Sequence, residues 1–188
     1  IQAIFVGRGE PRKGLHFALE AWCKSSSARD GTFRIIGGIE PQYRQCMQKW
    51  LAHPSVVDVG FVHNVDEYMR SSHILLLPSL EEGSALVTYE ATACGCVPLV
   101  SDSTGAPVTN GVACLVHKTG DLQSLRGHIE ELDFDRPKLA RFRDSCLKEA
   151  EMLTWTDAAD TLIACYRNAT LAHENETSHA RQIGKDTT

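Results

Sequence analysis

Residues 74–77 read Ile-Leu-Leu-Leu, a run with no polar side chain that is closed at once by Pro78. It is too short for a helix, and it suits a strand at the centre of a parallel sheet covered on both faces. Five further apolar runs share the pattern: Ile1 to Gly7, Thr32 to Ile36, Val56 to Val59, Val97 to Val100 and Ala113 to Val116. Gly37-Gly38 and Gly60 punctuate the second and third. Stretches of helical period lie between them. Leu15, Ala18, Leu19 and Trp22 make one apolar face, Pro41 opens a helix to Leu51, and Asn64 stands as N-cap to Val65–Arg70. An alanine-rich helix from Leu86 is stopped by Gly95 near Cys94, and Asp121 caps one running to Leu132. Two more follow near Arg136 to Leu153 and Thr156 to Leu171. Strand and helix alternating in this way predict an α/β fold with a doubly wound, Rossmann-like parallel sheet.

In such a fold, ligands sit beyond the carboxyl ends of the strands. That singles out the loops after Val6, Val59, Leu77 and Val100. The expected organisation is one domain over residues 1–172 and a flexible polar tail over 173–188, where periodicity ends. The chain opens at Ile1 inside a strand-like run, so a further domain is expected ahead of it.

The 188 residues carry a net charge of -5, which argues against general nucleic-acid binding, since that needs a basic face. No apolar run reaches the roughly 18–20 residues of a membrane span. The seven cysteines, Cys23, Cys46, Cys94, Cys96, Cys114, Cys146 and Cys165, are odd in number and lack a C-x-x-C pair. They read as buried hydrophobes of a reducing cytoplasm. The eight histidines are scattered without metal-ligand spacing, although His63 follows the third strand and could reach a ligand cleft. Trp22, Trp50 and Trp155 read as core residues on helix faces. The glycosylation patterns at Asn168 and Asn175 read as chance matches.

Two loops carry chemistry. Gly7-Arg8-Gly9-Glu10-Pro11-Arg12-Lys13-Gly14 sets three cations between a strand end and a helix start, where backbone N–H groups and the helix dipole already favour an anion. Arg8 can grip two phosphate oxygens with its fork, and Lys13 adds a point charge. The second loop and its helix run Pro78-Ser79-Leu80-Glu81-Glu82-Gly83-Ser84-Ala85-Leu86-Val87-Thr88-Tyr89-Glu90. Gly83, Ser84 and Ala85 are small enough for a ligand to approach their amides. Glu82 can accept from sugar hydroxyls, and Glu90 from the paired hydroxyls of a ribose.

Both loops resemble the donor-binding half of retaining glycosyltransferases of family 4, which have the two-domain GT-B architecture. Gly7-Arg8 and Lys13-Gly14 match that family's first donor loop. Pro78-Ser79, Glu82-Gly83, Leu86-Val87, Glu90-Ala91, Ala93, Gly95 and Pro98 match its E-x7-E frame. Ser101, Gly105-Ala106-Pro107 and Asn110-Gly111 fall in its next ligand-side loop, and Thr154-Trp155 opens its last helix. The resemblance spans roughly residues 4 to 168. It implies that Arg8 and Lys13 bind the diphosphate of a nucleoside diphosphate sugar, that Glu82 meets the transferred sugar, and that Glu90 holds the ribose. Gly7, Gly83 and the amides of Ser84, Ala85, Leu86 and Val87 would line the donor, with backbone near Phe61 and Val62 at the base. It further implies no metal or other cofactor, and a carbohydrate or lipid-linked acceptor taken by an N-terminal domain. Any docking at the inner membrane face of the cytoplasm would also fall to that domain. This chain alone is expected to bind nucleotide and transfer little sugar. The sequence departs from the family at Ser84-Ala85, usually an aromatic and a glycine, at Ala113-Cys114, usually Asp/Asn-Gly, and at Val108, usually Glu. The Ala85 methyl is expected to narrow the sugar pocket. Two other readings share the fold: a non-catalytic nucleotide-binding or interaction module, and a nucleotide-sugar epimerase.

Overall fold

The computed structural model describes the backbone of residues 1–183 and the side chains of residues 1–170. It divides into two units, Ile1–Glu151 and Met152–Thr188. The first holds a six-stranded sheet of β1 (Gln2–Val6), β2 (Thr32–Ile36), β3 (Val56–Gly60), β4 (Ile74–Leu77), β5 (Val97–Ser101) and β6 (Leu115–His117). All neighbours are parallel, in the order β3-β2-β1-β4-β5-β6. The predicted doubly wound sheet is therefore present. Its strand order reverses between β1 and β4, and in folds of this type ligands bind beyond the strand ends at such a point.

Burial explains the strand choice. Ala3, Ile4, Phe5, Phe33, Ile35 and the whole run Ile74–Leu77 are shut from solvent. Each large side chain so buried stabilises the fold by about 1.5–3 kcal/mol. The helices α1 (Leu15–Lys24) and α6 (Leu122–Phe134) pack together, while α4 (Val65–Arg70), α5 (Leu86–Ala93) and α7 (Arg136–Ala150) form a second group. Trp22, fully buried on α1, stacks obliquely on Phe33 and donates its indole N–H to Ser55 Oγ at 2.8 Å.

Several local expectations change. The helix from Pro41 is broken into α2 (Pro41–Cys46) and α3 (Gln48–Leu51), because Met47 turns inward with φ -105° and is 1% exposed. Asn64 stands at the N-cap of α4 as expected, but its side chain accepts no helix amide; its amide group donates instead to Glu67 Oε2 at 2.6 Å. Asp121 does cap α6, accepting from the Ser124 amide at 3.0 Å. The last strand starts at Leu115 rather than Ala113, since Ala113-Cys114 is spent on a turn in which Gly111 N donates to Cys114 O at 2.8 Å. Trp50 is half-buried, and Trp155 leaves most of its surface uncovered by its own unit. Cys96, Cys114 and Cys146 are buried as expected, whereas Cys46 and Cys165 are exposed. The second unit carries α8 (Trp155–Ile183), which runs past the expected end near Leu171. Side chains of the 173–188 segment, Asn175 among them, lie outside the described residues. No described helix is long and apolar enough to cross a membrane.

His117, at the end of β6, is 4% exposed, and among the described residues neither ring nitrogen has a hydrogen-bond partner. Burial, helped by the neighbouring His128, pushes its pKa down from 6.5 to about 4. The folded state thus resists a proton that the unfolded chain accepts. Stability is present above pH 6.5 and is lost as pH falls through that window towards 4. We expect His117→Phe to recover about 2–3 kcal/mol of the acid loss in urea melts at pH 7 and pH 4.5. Identical slopes for both proteins would show that His117 is not the group responsible.

Candidate functional site

The loop leaving β1 is shaped by two glycines. Gly7 turns with φ 141° while its amide stays bonded to Ile36 O at 3.0 Å. A short 3-10 turn over Pro11–Lys13 follows, and Gly14, at φ 68°, both ends it and opens α1. Gly14 lies against the fourth-strand loop so closely that a Cβ there would sit 2.0 Å from Pro78 O. The Leu80 amide donates to Arg12 O at 2.8 Å, stitching the two loops together.

The three cations of this loop separate. Arg8 is exposed, with no side-chain partner among the described residues. Lys13 lays its stem over Gly7 and sets its ammonium against Glu82 Oε1, an ion pair without the direction of a good hydrogen bond. Arg12 donates to Glu10 Oε1 at 2.9 Å and to Glu81 O at 3.1 Å, and pairs with Glu82 Oε2 at 3.3 Å. Glu82, then Glu10, hold its guanidinium protonated.

Glu82 is nearly buried, its side chain 10% exposed, and its amide donates to Ser103 O at 2.9 Å. Beneath it runs a pair of buried hydroxyls. Ser101 Oγ donates to Ser79 O at 2.5 Å and meets Thr104 Oγ1 at 2.9 Å, while Thr104 Oγ1 donates to Leu77 O at 3.1 Å. Ser101 ends β5 and Thr104 lies in the loop after it, and together they fix the backbone from which Glu82 projects. Sequence reasoning had placed only Ser101 near a ligand; two small hydroxyl residues three apart carry no signal of their own.

At the start of α5 the Ala85 amide is already bonded to Thr104 O at 3.3 Å, and Ala85 is 3% exposed. Its methyl is packed into the protein, so it does not narrow an open pocket. Ser84, Leu86 and Val87 keep amides that meet no acceptor among the described residues. They lie at a helix N-terminus, where such groups attract negative charge. Glu90 is one turn further on, exposed and with no side-chain partner among the described residues. Val62 lies beyond β3, across β2 from the first loop, beside an exposed Phe61 that meets His63 edge-on at 5.2 Å. Thus Gly7, Lys13 and Glu82 come together directly, Gly83 follows Glu82 in the same loop, Glu90 lies on α5, and Val62 belongs to a separate rim.

Gly83 differs from Gly14 in that a Cβ added there meets nothing within 4 Å. Its openness faces solvent, so Gly83→Ala should leave the urea midpoint unchanged. Nucleotide affinity should fall roughly tenfold where the methyl blocks close approach. Unchanged titration curves would move the ligand away from this amide.

The sequence model of the glycosyl transferases group 1 family matches residues 1–133. The chain belongs to that family. Among curated relatives of this group 1 domain, the D-inositol 3-phosphate glycosyltransferase of Rhodococcus erythropolis is 31% identical over 198 residues. That match takes in 94% of this chain and 43% of the relative. The chain thus spans less than half the length of that relative. Among solved structures, Anabaena HepE in complex with UDP aligns with a TM-score of 0.79 at 20% identity, over 89% of this chain and 48% of its own. Sucrose-phosphate synthase from Thermosynechococcus elongatus aligns with a TM-score of 0.75 at 23% identity, over 91% and 46%. The group 1 domain therefore has the fold of one half of a GT-B glycosyltransferase.

Proposed function

We propose that this domain binds the donor of a retaining glycosyltransferase, a nucleoside diphosphate sugar, where the loops after β1 and β4 meet at the carboxyl ends of the strands. The observation that carries the reading is the arrangement of Lys13 and of the Ser84, Leu86 and Val87 amides, which meet no acceptor among the described residues, on either side of Glu82, with Arg8 exposed in the same loop as Lys13. Family membership supports it, as do the structures of Anabaena HepE with UDP and with UDP-glucose.

In this reading Arg8, Lys13 and the α5 amides take the diphosphate, Gly7 and Gly83 let it approach the backbone, and Glu90 accepts from the ribose hydroxyls. Val62 offers backbone to the base, and Glu82 accepts from hydroxyls of the sugar. As the bond from the anomeric carbon to the diphosphate oxygen breaks, negative charge grows on the leaving group. Donors already aimed there are worth roughly 3–4 kcal/mol each. The acceptor hydroxyl attacks from the face the diphosphate leaves, so configuration is retained. A carbohydrate or lipid-linked acceptor would be held by another domain, which would also provide any membrane docking. Cations and amides meet the diphosphate, so the reading calls for no metal ion.

Calorimetric titration with UDP, GDP and ADP tests the proposal. One nucleotide should bind with Kd of about 10 μM to 1 mM. Glu90→Ala should weaken it roughly tenfold, and EDTA should leave it unchanged. Binding that needs a divalent cation, or that ignores Glu90, would count against this site.

A further inference from the structure

We infer that Arg12 is a positioning residue for Glu82, keeping its carboxylate in place when Lys13 turns to a bound diphosphate; the inference rests on the donor-site reading above. Glu82 holds two cations at once, Lys13 on Oε1 and Arg12 on Oε2 at 3.3 Å. These differ in how firmly they are held. The Lys13 ammonium rides on a flexible stem with no other hydrogen-bond partner among the described residues, so it is free to re-aim. The Arg12 guanidinium is held by two further contacts, Glu10 Oε1 at 2.9 Å and Glu81 O at 3.1 Å, on a backbone whose own carbonyl accepts from the Leu80 amide at 2.8 Å. It cannot follow Lys13 without giving up both of those side-chain bonds, one of which crosses between the loops.

The need for such a group follows from burial. A carboxylate whose side chain is 10% exposed is costly once it loses its nearest cation. With Arg12 in place, Glu82 keeps one charge partner and one fixed orientation, and its remaining oxygen is released for a sugar hydroxyl. Arg12 therefore acts on the sugar end of the donor through Glu82, while Arg8 and Lys13 act on the diphosphate. The three cations of one short loop divide between two tasks.

The test has two arms on this chain. Without ligand, thermal melts of Arg12→Gln, Glu82→Gln and the double variant should be non-additive by about 1–3 °C. With ligand, UDP, GDP and ADP and their glucose conjugates are titrated into the native chain, Arg12→Gln and Arg12→Lys. Arg12→Gln should leave the diphosphate within about twofold of the native affinity and weaken the matching conjugate roughly tenfold. Arg12→Lys, which restores charge but not the fork, should recover only part of that loss. Additive melts, or equal losses for diphosphate and conjugate, overturn the role given to Arg12 alone. Failure of the native chain to bind any of these ligands overturns the donor-site reading and this inference with it.

Discussion

Alanine at Gly14 is expected to lower folding stability by about 2–5 kcal/mol. Two costs combine. The backbone there has φ 68°, a left-handed conformation that a Cβ disfavours by about 1–2 kcal/mol. The methyl would also be driven to 2.0 Å from Pro78 O and 2.8 Å from Pro78 C, so β1 and β4 loops would have to separate. Gly38→Ala is the matched control, because nothing lies within 4 Å of a Cβ at that position. Urea unfolding of both variants decides the matter. A Gly14→Ala midpoint as high as the control's would mean that the two loops are not in contact as described.

The second large effect is on binding. Lys13→Ala should weaken nucleoside diphosphate by about 30- to 100-fold, the loss of a charge-assisted hydrogen bond of about 2–3 kcal/mol. The interaction is ionic but sheltered, since the Lys13 side chain is 18% exposed. Its contribution should persist at raised salt better than that of Arg8, which stands in open solvent. Titrations of Lys13→Ala and Arg8→Ala at low and high salt separate the two. Equal losses at both positions that vanish together in salt would indicate a diffuse basic surface and not a built diphosphate site. Lys13→Ala also leaves Glu82 with Arg12 as its remaining cation, so the melting temperature should be followed in parallel.

The sheet was readable because its strands are buried on both faces and so approach pure apolar sequence, Ile74–Leu77 above all. The two loops of the candidate site were locatable because they follow strand ends and use small residues and charges that nothing in the core requires. What could not be read is pairwise. Arg8, Arg12 and Lys13 look alike as cations, and only the fold shows that one is free, one bridges loops, and one leans on Glu82. Ala85 looked like an obstruction because sequence does not say which way a methyl points. The turn at Met47 and the missing side-chain cap from Asn64 went unread for the same reason: a buried anchor and a side-chain partner three residues on overrode local preference. Helix length at α8 escaped because polar residues do not forbid a helix; they only remove the apolar period by which one is recognised.

The joint between β1 and β4 has a consequence for when the site comes into being. β1 is in register with β2 at five positions, Gln2 to Val6, but with β4 at two, Ala3 and Ile4. The two halves of the sheet are therefore joined most sparingly at the line where Lys13 and Glu82 face one another across 69 residues of chain. In the proposed reading a fragment ending before β4 would lack half of the donor site, and a nucleotide bound there would fasten one half of the sheet to the other. Nucleotide should then act as a rivet. Its stabilising effect would be concentrated in slowed amide exchange along Ala3, Ile4, Ile74 and Leu75, and the outer strands β3 and β6 would be left much as they were.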